Sequence, residues 1–202
     1  MSYEGVKYQF IRTNDRSPVH PWLKELQKWC TVFHEQKLAP FYEGGSHGNL
    51  SFRIKAGSDS FIITAAKCSL KESTTDDKFY EISKVDIENK VLYGAGSIER
   101  KPSSEAMLHD AIYKRRPEVM AILHGHCEAI TKNASKIGIV TTQEFVESGT
   151  TRIIDSVMEV LGQHDFIEIK DHGFLSMGST IEEAGELAIR MMKKAKLNQP
   201  GL

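Results

Sequence analysis

The sequence predicts an α/β fold in which a sheet rich in antiparallel pairs is covered by helices. Three observations predict it. Short runs joined in pairs by turn residues read as β-hairpins, five segments place apolar residues at helical spacing, and the two kinds of segment interleave along 202 residues. A chain of this length builds one sizeable core, so a single domain over residues 1–202 is expected.

After a polar start, HPWLKELQKWCTVFHEQKL sets Trp22, Leu23, Leu26, Trp29, Cys30 and Phe33 on one face of a helix begun by Pro21. NLSFRIK alternates Leu50, Phe52 and Ile54, AGSD turns the chain, and SFIIT completes a hairpin. A second hairpin follows, from FYEISKVDI through the turn ENK to VLYG. GAGSIERKP is a loop. Behind it SSEAMLHDAIYKRR has a serine cap and a helix with Met107, Leu108, Ala111 and Ile112 inward, stopped by Pro117. VMAILH is the next strand, and residues 127–136 read as a short helix. TTRIIDSVMEVLGQ buries Ile153, Ile154, Val157 and Leu161 and closes at Gly162. DFIEIKDHGFLSMG gives two short strands broken near His172 and Gly173. STIEEAGELAIRMMKKAKL is a final amphipathic helix capped by Ser179 or Thr180, with Glu182 and Glu183 in its first turn.

Charge and cysteine content exclude several function classes. With 26 basic and 27 acidic residues the formal charge is -1, which gives no footprint for nucleic acid or an anionic membrane. MSYEGVKYQFIRTNDRSP carries charges where a signal peptide needs an apolar core, and no apolar stretch approaches a bilayer span, so a cytoplasmic protein is expected. Cys30, Cys68 and Cys127 are an odd number without a CxxC pair, so any metal would be held by nitrogen or oxygen.

Four stretches could carry chemistry. In AILHGHCEAI, His124 and His126 fall on the same side of a strand, because residues two apart share a face. A glycine between them adds no side chain, and two neutral imidazoles could converge on zinc or a neighbouring first-row cation. The spacing is equally compatible with two histidines at a solvated strand end. His172, closing FIEIKDHG, occupies an equivalent strand end and is the best third ligand among the six remaining histidines. Three neutral ligands would leave a cation its charge and an open position, the arrangement of a Lewis acid.

KPSSEAMLH places Ser103 and Ser104 at a helix start, where serines cap. The same hydroxyls and N–H groups could also hold a phosphate, with Lys101 nearby. Glu105 follows in the first turn, where a carboxylate complements the helix dipole. His109 lies one turn on, on the same face, and could orient that carboxylate or simply pack. In GGSHGNLSF, Gly44, Gly45, Gly48 and Asn49 form a turn whose backbone could approach an anion closely.

Together and in this order, HGNLSFR, KPSSEAMLHDAIYKRRPEVMAILHGH and IKDHGFLSMGSTIEEA resemble the class II aldolase/adducin family, over about residues 38–194. The resemblance implies a three-layer α/β/α domain around a mixed, mostly antiparallel sheet, assembled as a homotetramer with sites between subunits. It implies His124, His126 and His172 as ligands of a divalent metal, zinc or else manganese or cobalt, and Glu105 as the acid/base carboxylate. Gly48, Asn49, Thr64, Ser103 and Ser104 would lie against the substrate phosphate. The implied reaction is retro-aldol cleavage of a small ketose phosphate through a metal-stabilised enediolate. Epimerisation, dehydration and decarboxylation use the same chemistry, and an adducin-like scaffold without chemistry is the reading from another class.

Three departures from the family pattern stand out. The turn after the second hairpin strand is typically Thr-x-Ser/Thr-Gly, whereas TAAKCSL has Ala66 and Lys67 at the last two places; Lys67 could attract phosphate as a point charge. The segment between HGH and His172 lacks the tyrosine that sugar-phosphate aldolases of this family extend into a neighbouring site, and Phe145 is the nearest aromatic. AKLNQPGL leaves no long tail to close over a substrate.

Overall fold

The computed structural model describes residues 8–42, 44–72, 75–146 and 150–198. The leader reading of residues 1–7, the Glu147–Gly149 part of QEFVESGTT and the final residues of AKLNQPGL lie outside these. Among the described residues, nine strands form one sheet. In chain order they are β1 (Gln9–Asn14), β4 (Asn49–Arg53), β5 (Phe61–Thr64), β6 (Phe79–Asp86), β7 (Val91–Ala95), β8 (Ala121–Gly125), β9 (Val140–Thr141), β10 (Phe166–Ile169) and β11 (Gly173–Gly178). Two short strands, β2 (Phe41–Tyr42) and β3 (Gly45–Ser46), pair separately. The sheet order is β1-β7-β6-β5-β4-β8-β11-β10-β9. Only the end pairs, β1 with β7 and β10 with β9, are parallel. The expected mixed, mostly antiparallel sheet is therefore present, including both hairpins.

Alternation along the strands sends side chains into two helical layers. On one face α1 (Leu23–Glu35), α3 (Glu128–Asn133) and α5 (Ile181–Leu197) cover Leu50, Phe52, Leu123 and Phe174. On the other, α2 (Ala106–Arg115) and α4 (Thr151–Leu161) cover Phe61, Ile63, Ile122 and Leu175. Each such side chain, fully buried, stabilises the fold by about 1.5–3 kcal/mol relative to exposure. Thr180 caps α5, its hydroxyl accepting the Glu183 N–H at 3.0 Å. No helix among the described residues is long and apolar enough to cross a membrane.

Two expectations change. Trp22 is not core: it precedes the first turn of α1, is 41% exposed and meets the His20 and Phe52 rings edge to face. The polar start, read without an element, contains a strand as well. QFIRTN forms β1, and Arg12 ties it to the loop ahead of α2, donating to the carbonyls of Gly96 at 2.9 Å, Ser97 at 2.8 Å and Arg100 at 3.1 Å. Its half-exposed edge position removes the apolar pattern that marks a strand in sequence.

Candidate active site

The site forms where β4 and β8 run side by side, with Asn49 opposite His124. His124 is on the α2-facing side of β8, His126 follows the strand end, and His172 sits in the tight turn between β10 and β11, its N–H bonded to the Ile169 carbonyl at 3.0 Å. The three imidazoles meet as a triangle with ring centroids 4.9, 5.2 and 4.9 Å apart. One nitrogen from each lies within 4.8 Å of the other two. His124 Nδ1 donates to the Phe174 carbonyl at 2.8 Å, which leaves the lone pair on Nε2, and that atom lies 3.0 Å from His126 Nε2. His172 Nε2 is buried and lies 3.2 Å from Glu105 Oε1. Three buried or half-buried imidazole nitrogens within 4.8 Å of one another, two of them 3.0 Å apart, fit the donor set of a first-row divalent cation.

The glycines do a different job from the one the sequence suggests. A side chain at Gly125 would strike the Leu38 carbonyl and the Phe174 ring, at 2.5 and 2.6 Å, on the core side of the strand. Room for the imidazoles comes from Gly173, where a Cβ would lie 3.0 Å from both His124 and His126.

Glu105 immediately precedes α2, and each carboxylate oxygen lies against a histidine: Oε1 is 3.2 Å from His172 Nε2 and Oε2 3.3 Å from His124 Nε2. Asn49 Nδ2 donates to Oε2 at 2.5 Å. Burial pushes the Glu105 carboxyl up, but the His124 and His172 imidazoles and the Asn49 amide outweigh it and hold the carboxyl well below its ordinary range. Burial drives His126 well below an ordinary imidazole and lowers His124 as well, which favours the neutral, ligating form. His172 goes the other way: burial lowers it, and the Glu105 hydrogen bond and charge more than compensate.

These four residues line an open cavity of about 570 Å³ together with Gly48, Asn49, Lys67, Ser103 and Ser104. Thr64 is not on its wall. The Thr64 hydroxyl is buried and accepts the Leu50 N–H at 3.2 Å, so its place is structural, bracing β4 against β5. Ser103 combines both readings, lining the cavity while its hydroxyl accepts the Glu105 N–H at 3.3 Å. Lys67 holds the left-handed backbone, φ 53°, that the family's glycine would supply, and its side chain is exposed at the rim. Backbone bonds from Ala66 to Lys101 and from Ser103 to Thr64, 2.9 and 3.0 Å, lock this turn to the start of α2. Cys127 precedes α3 and is not on the cavity wall.

Phe145, the aromatic nearest the missing tyrosine, also lines the cavity, and so do Tyr42, His47 and Asp171, which the sequence reading does not single out. His47 lies between the Tyr42 ring at 4.5 Å and the His126 ring at 5.0 Å; burial, then the charge of His172, lower its pKa. Its position inside GGSHGN, one residue before Gly48, is the signal that could have marked it.

The sequence and the fold both match known proteins. The family model described as class II aldolase and adducin N-terminal domain matches residues 24–198. L-fuculose phosphate aldolase of Methanococcus vannielii is 27% identical over 190 residues, covering 87% of this chain and 94% of that protein. 3-oxo-tetronate 4-phosphate decarboxylase of Haemophilus influenzae is 25% identical over 175 residues, covering 77% and 78%. A solved L-fuculose 1-phosphate aldolase superposes with a TM-score of 0.72 at 20% identity, covering 90% of this chain and 86% of its own.

Proposed function

Because this chain belongs to the class II aldolase/adducin family, we propose that it is a metal-dependent lyase that cleaves a small ketose phosphate by a retro-aldol step, residues 1–202 acting as one domain. The observation that carries this reading is the convergence of His124, His126 and His172 on one point with Glu105 directly against two of them. The three imidazoles would hold the cation, for which zinc is the first choice and manganese or cobalt the alternatives. When bound, it supplies Lewis-acid polarisation of the substrate carbonyl.

This chain's residues supply the rest. Glu105, ionised and pinned by Asn49, carries the proton: it accepts the one released from the substrate hydroxyl as the carbon–carbon bond breaks, delivers it to the enediolate carbon, and runs the same transfer backwards in the condensation direction. Lys67, Ser103, Ser104 and the Gly48–Asn49 backbone face the same cavity and would receive the phosphate. An adducin-like role without chemistry is disfavoured by the intact ligand set beside Glu105. The decarboxylase relative favours a second reading, loss of carbon dioxide through the same kind of enediolate.

The test is metal content and product together. Reconstituted with zinc, manganese or cobalt, the protein should hold one ion per chain, and His124→Ala should lose it. Glu105→Gln should keep the ion and lose about 10²–10⁴ in kcat. Equal metal in protein and His124→Ala variant would refute the ligand set. No retro-aldol product from a panel of ketose phosphates would sink the lyase reading, and carbon dioxide release would favour the second.

A further inference from the structure

Among the described residues four that are not glycine hold a left-handed backbone, and two of them, Lys67 and Asp171, line the cavity. Aspartate tolerates that conformation through its short polar side chain. Lysine has no such compensation, and its Cβ crowds the backbone, so the surroundings must hold Lys67 in place. The turn is tied on both sides of it. Before it, the Ala66 N–H bonds the Lys101 carbonyl at 2.9 Å. After it, the Ser46 N–H bonds the Cys68 carbonyl at 3.1 Å, and Gly45 packs so closely that a side chain there would lie 2.8 Å from the Lys67 carbonyl carbon. The Lys67 carbonyl oxygen itself accepts from the Arg100 guanidinium.

Arg100 is anchored in turn. Its own carbonyl accepts from Arg12 at 3.1 Å, and the Ser97 carbonyl accepts from Arg12 and from the Tyr80 hydroxyl, each at 2.8 Å. Two residues on, the Pro102 carbonyl accepts from the Tyr8 hydroxyl. Strands β1 and β6 thus brace residues 97–102, and Arg100 passes that support to the turn. A left-handed residue relaxes by rotating about the bonds beside its Cα, which swings its carbonyl away. A guanidinium on that oxygen opposes the swing, and a charged donor holds a carbonyl more strongly than a neutral amide does.

We propose that Arg100 is a positioning residue for the phosphate subsite: its bond to the Lys67 carbonyl keeps Lys67 left-handed, and so keeps the lysine side chain in the wall it shares with Ser103 and Ser104. The group received there is a phosphate monoester, to which the lysine brings a point charge. Arg100 is not on the cavity wall, so its effect passes through Lys67. The inference rests on the reading that this cavity receives the substrate phosphate.

Calorimetric titration of inorganic phosphate into the metal-loaded protein tests it without turnover. Arg100→Gln should weaken binding about tenfold, and Lys67→Gly, which adopts the turn unaided but lacks the charge, should do the same. The combined variant is decisive. Glycine needs no help to stay left-handed, so adding Arg100→Gln to Lys67→Gly should change affinity by no more than about twofold. A combined loss of about a hundredfold would mean that Arg100 acts by its own charge, and would overturn the proposal. Undiminished affinity in Arg100→Gln, or a wild-type protein that binds no phosphate, would overturn it too. Lys67 is exposed and Arg100 half-exposed, so each variant should keep its metal ion; phosphate affinity lost together with the metal would mark general disruption and sink the assignment. In turnover of a ketose phosphate the same pattern should recur in KM, and a loss confined to kcat would contradict it. If no ion is taken up or no ketose phosphate is turned over, the lyase reading fails, while the same titrations on the protein as isolated still decide the role of Arg100.

Discussion

His109, fully buried, refuses a proton that the unfolded chain accepts. Burial takes its pKa from the ordinary 6.5 to about 3. Between those values the unfolded state binds more protons, so stability falls as pH drops from 6.5 toward 3 and is insensitive to this group above 6.5. From pH 7 to pH 5 the loss from this one side chain is about 2 kcal/mol. Denaturant titrations of metal-free protein should record it as a pH slope that is shallower by about one proton in His109→Gln. The histidines also mark what single residues reveal. His124, His126, His172 and Glu105 are legible because ligands and acid/base groups are few in type and their spacing relates to strand and helix period. Thr64 and His47 are not: whether a hydroxyl braces a backbone or a ring faces a cavity depends on partners 14 and 79 positions away, as the Thr64–Leu50 bond and the His47–His126 contact show.

At the scale of elements, periodicity carries the helices and both hairpins, since each buries an apolar face that the sequence displays. It misses β1 and β9, which are edge strands held mainly by backbone pairing and, for β1, by the Arg12 clamp. It also misses helix–helix contact. Trp29 of α1 packs flat on Gly185 of α5, where an added Cβ would lie 2.4 Å from three atoms of the indole. The ring has little freedom to retreat, being 2% exposed and donating from Nε1 to Glu182 at 2.9 Å. Gly185→Ala should therefore destabilise the protein. Overpacking costs about 1–3 kcal/mol, against roughly 1 kcal/mol gained in helix propensity, so the denaturant midpoint should fall. A midpoint that rises would mean the two helices can separate without loss.

The whole molecule joins two runs of chain at one line. Strands β1 and β4–β7 lie on one side, β8–β11 on the other, and the β4–β8 ladder is the only sheet pairing between them among the described residues. Oligomerisation is a property that neither periodicity nor motif spacing encodes. The tetramer implied by the family resemblance should appear in light scattering as a mass near four chains, and a mass of one chain at micromolar concentration would refute it. The β4–β8 line has a further consequence. Asn49 and Lys67 come from one side, the three histidines from the other, and Glu105 from the connection between. No local piece of the chain can hold the cation, so its capture should report cooperative folding. Release of metal and exposure of Trp29 should share one midpoint in a denaturant titration, and metal leaving well before the tryptophan signal changes would contradict this. A bound ion, its three imidazole ligands all on the β8–β11 side, would then act as a clasp between the end of β8 and the β10–β11 turn, stabilising the folded chain by RT ln(1 + [M]/Kd).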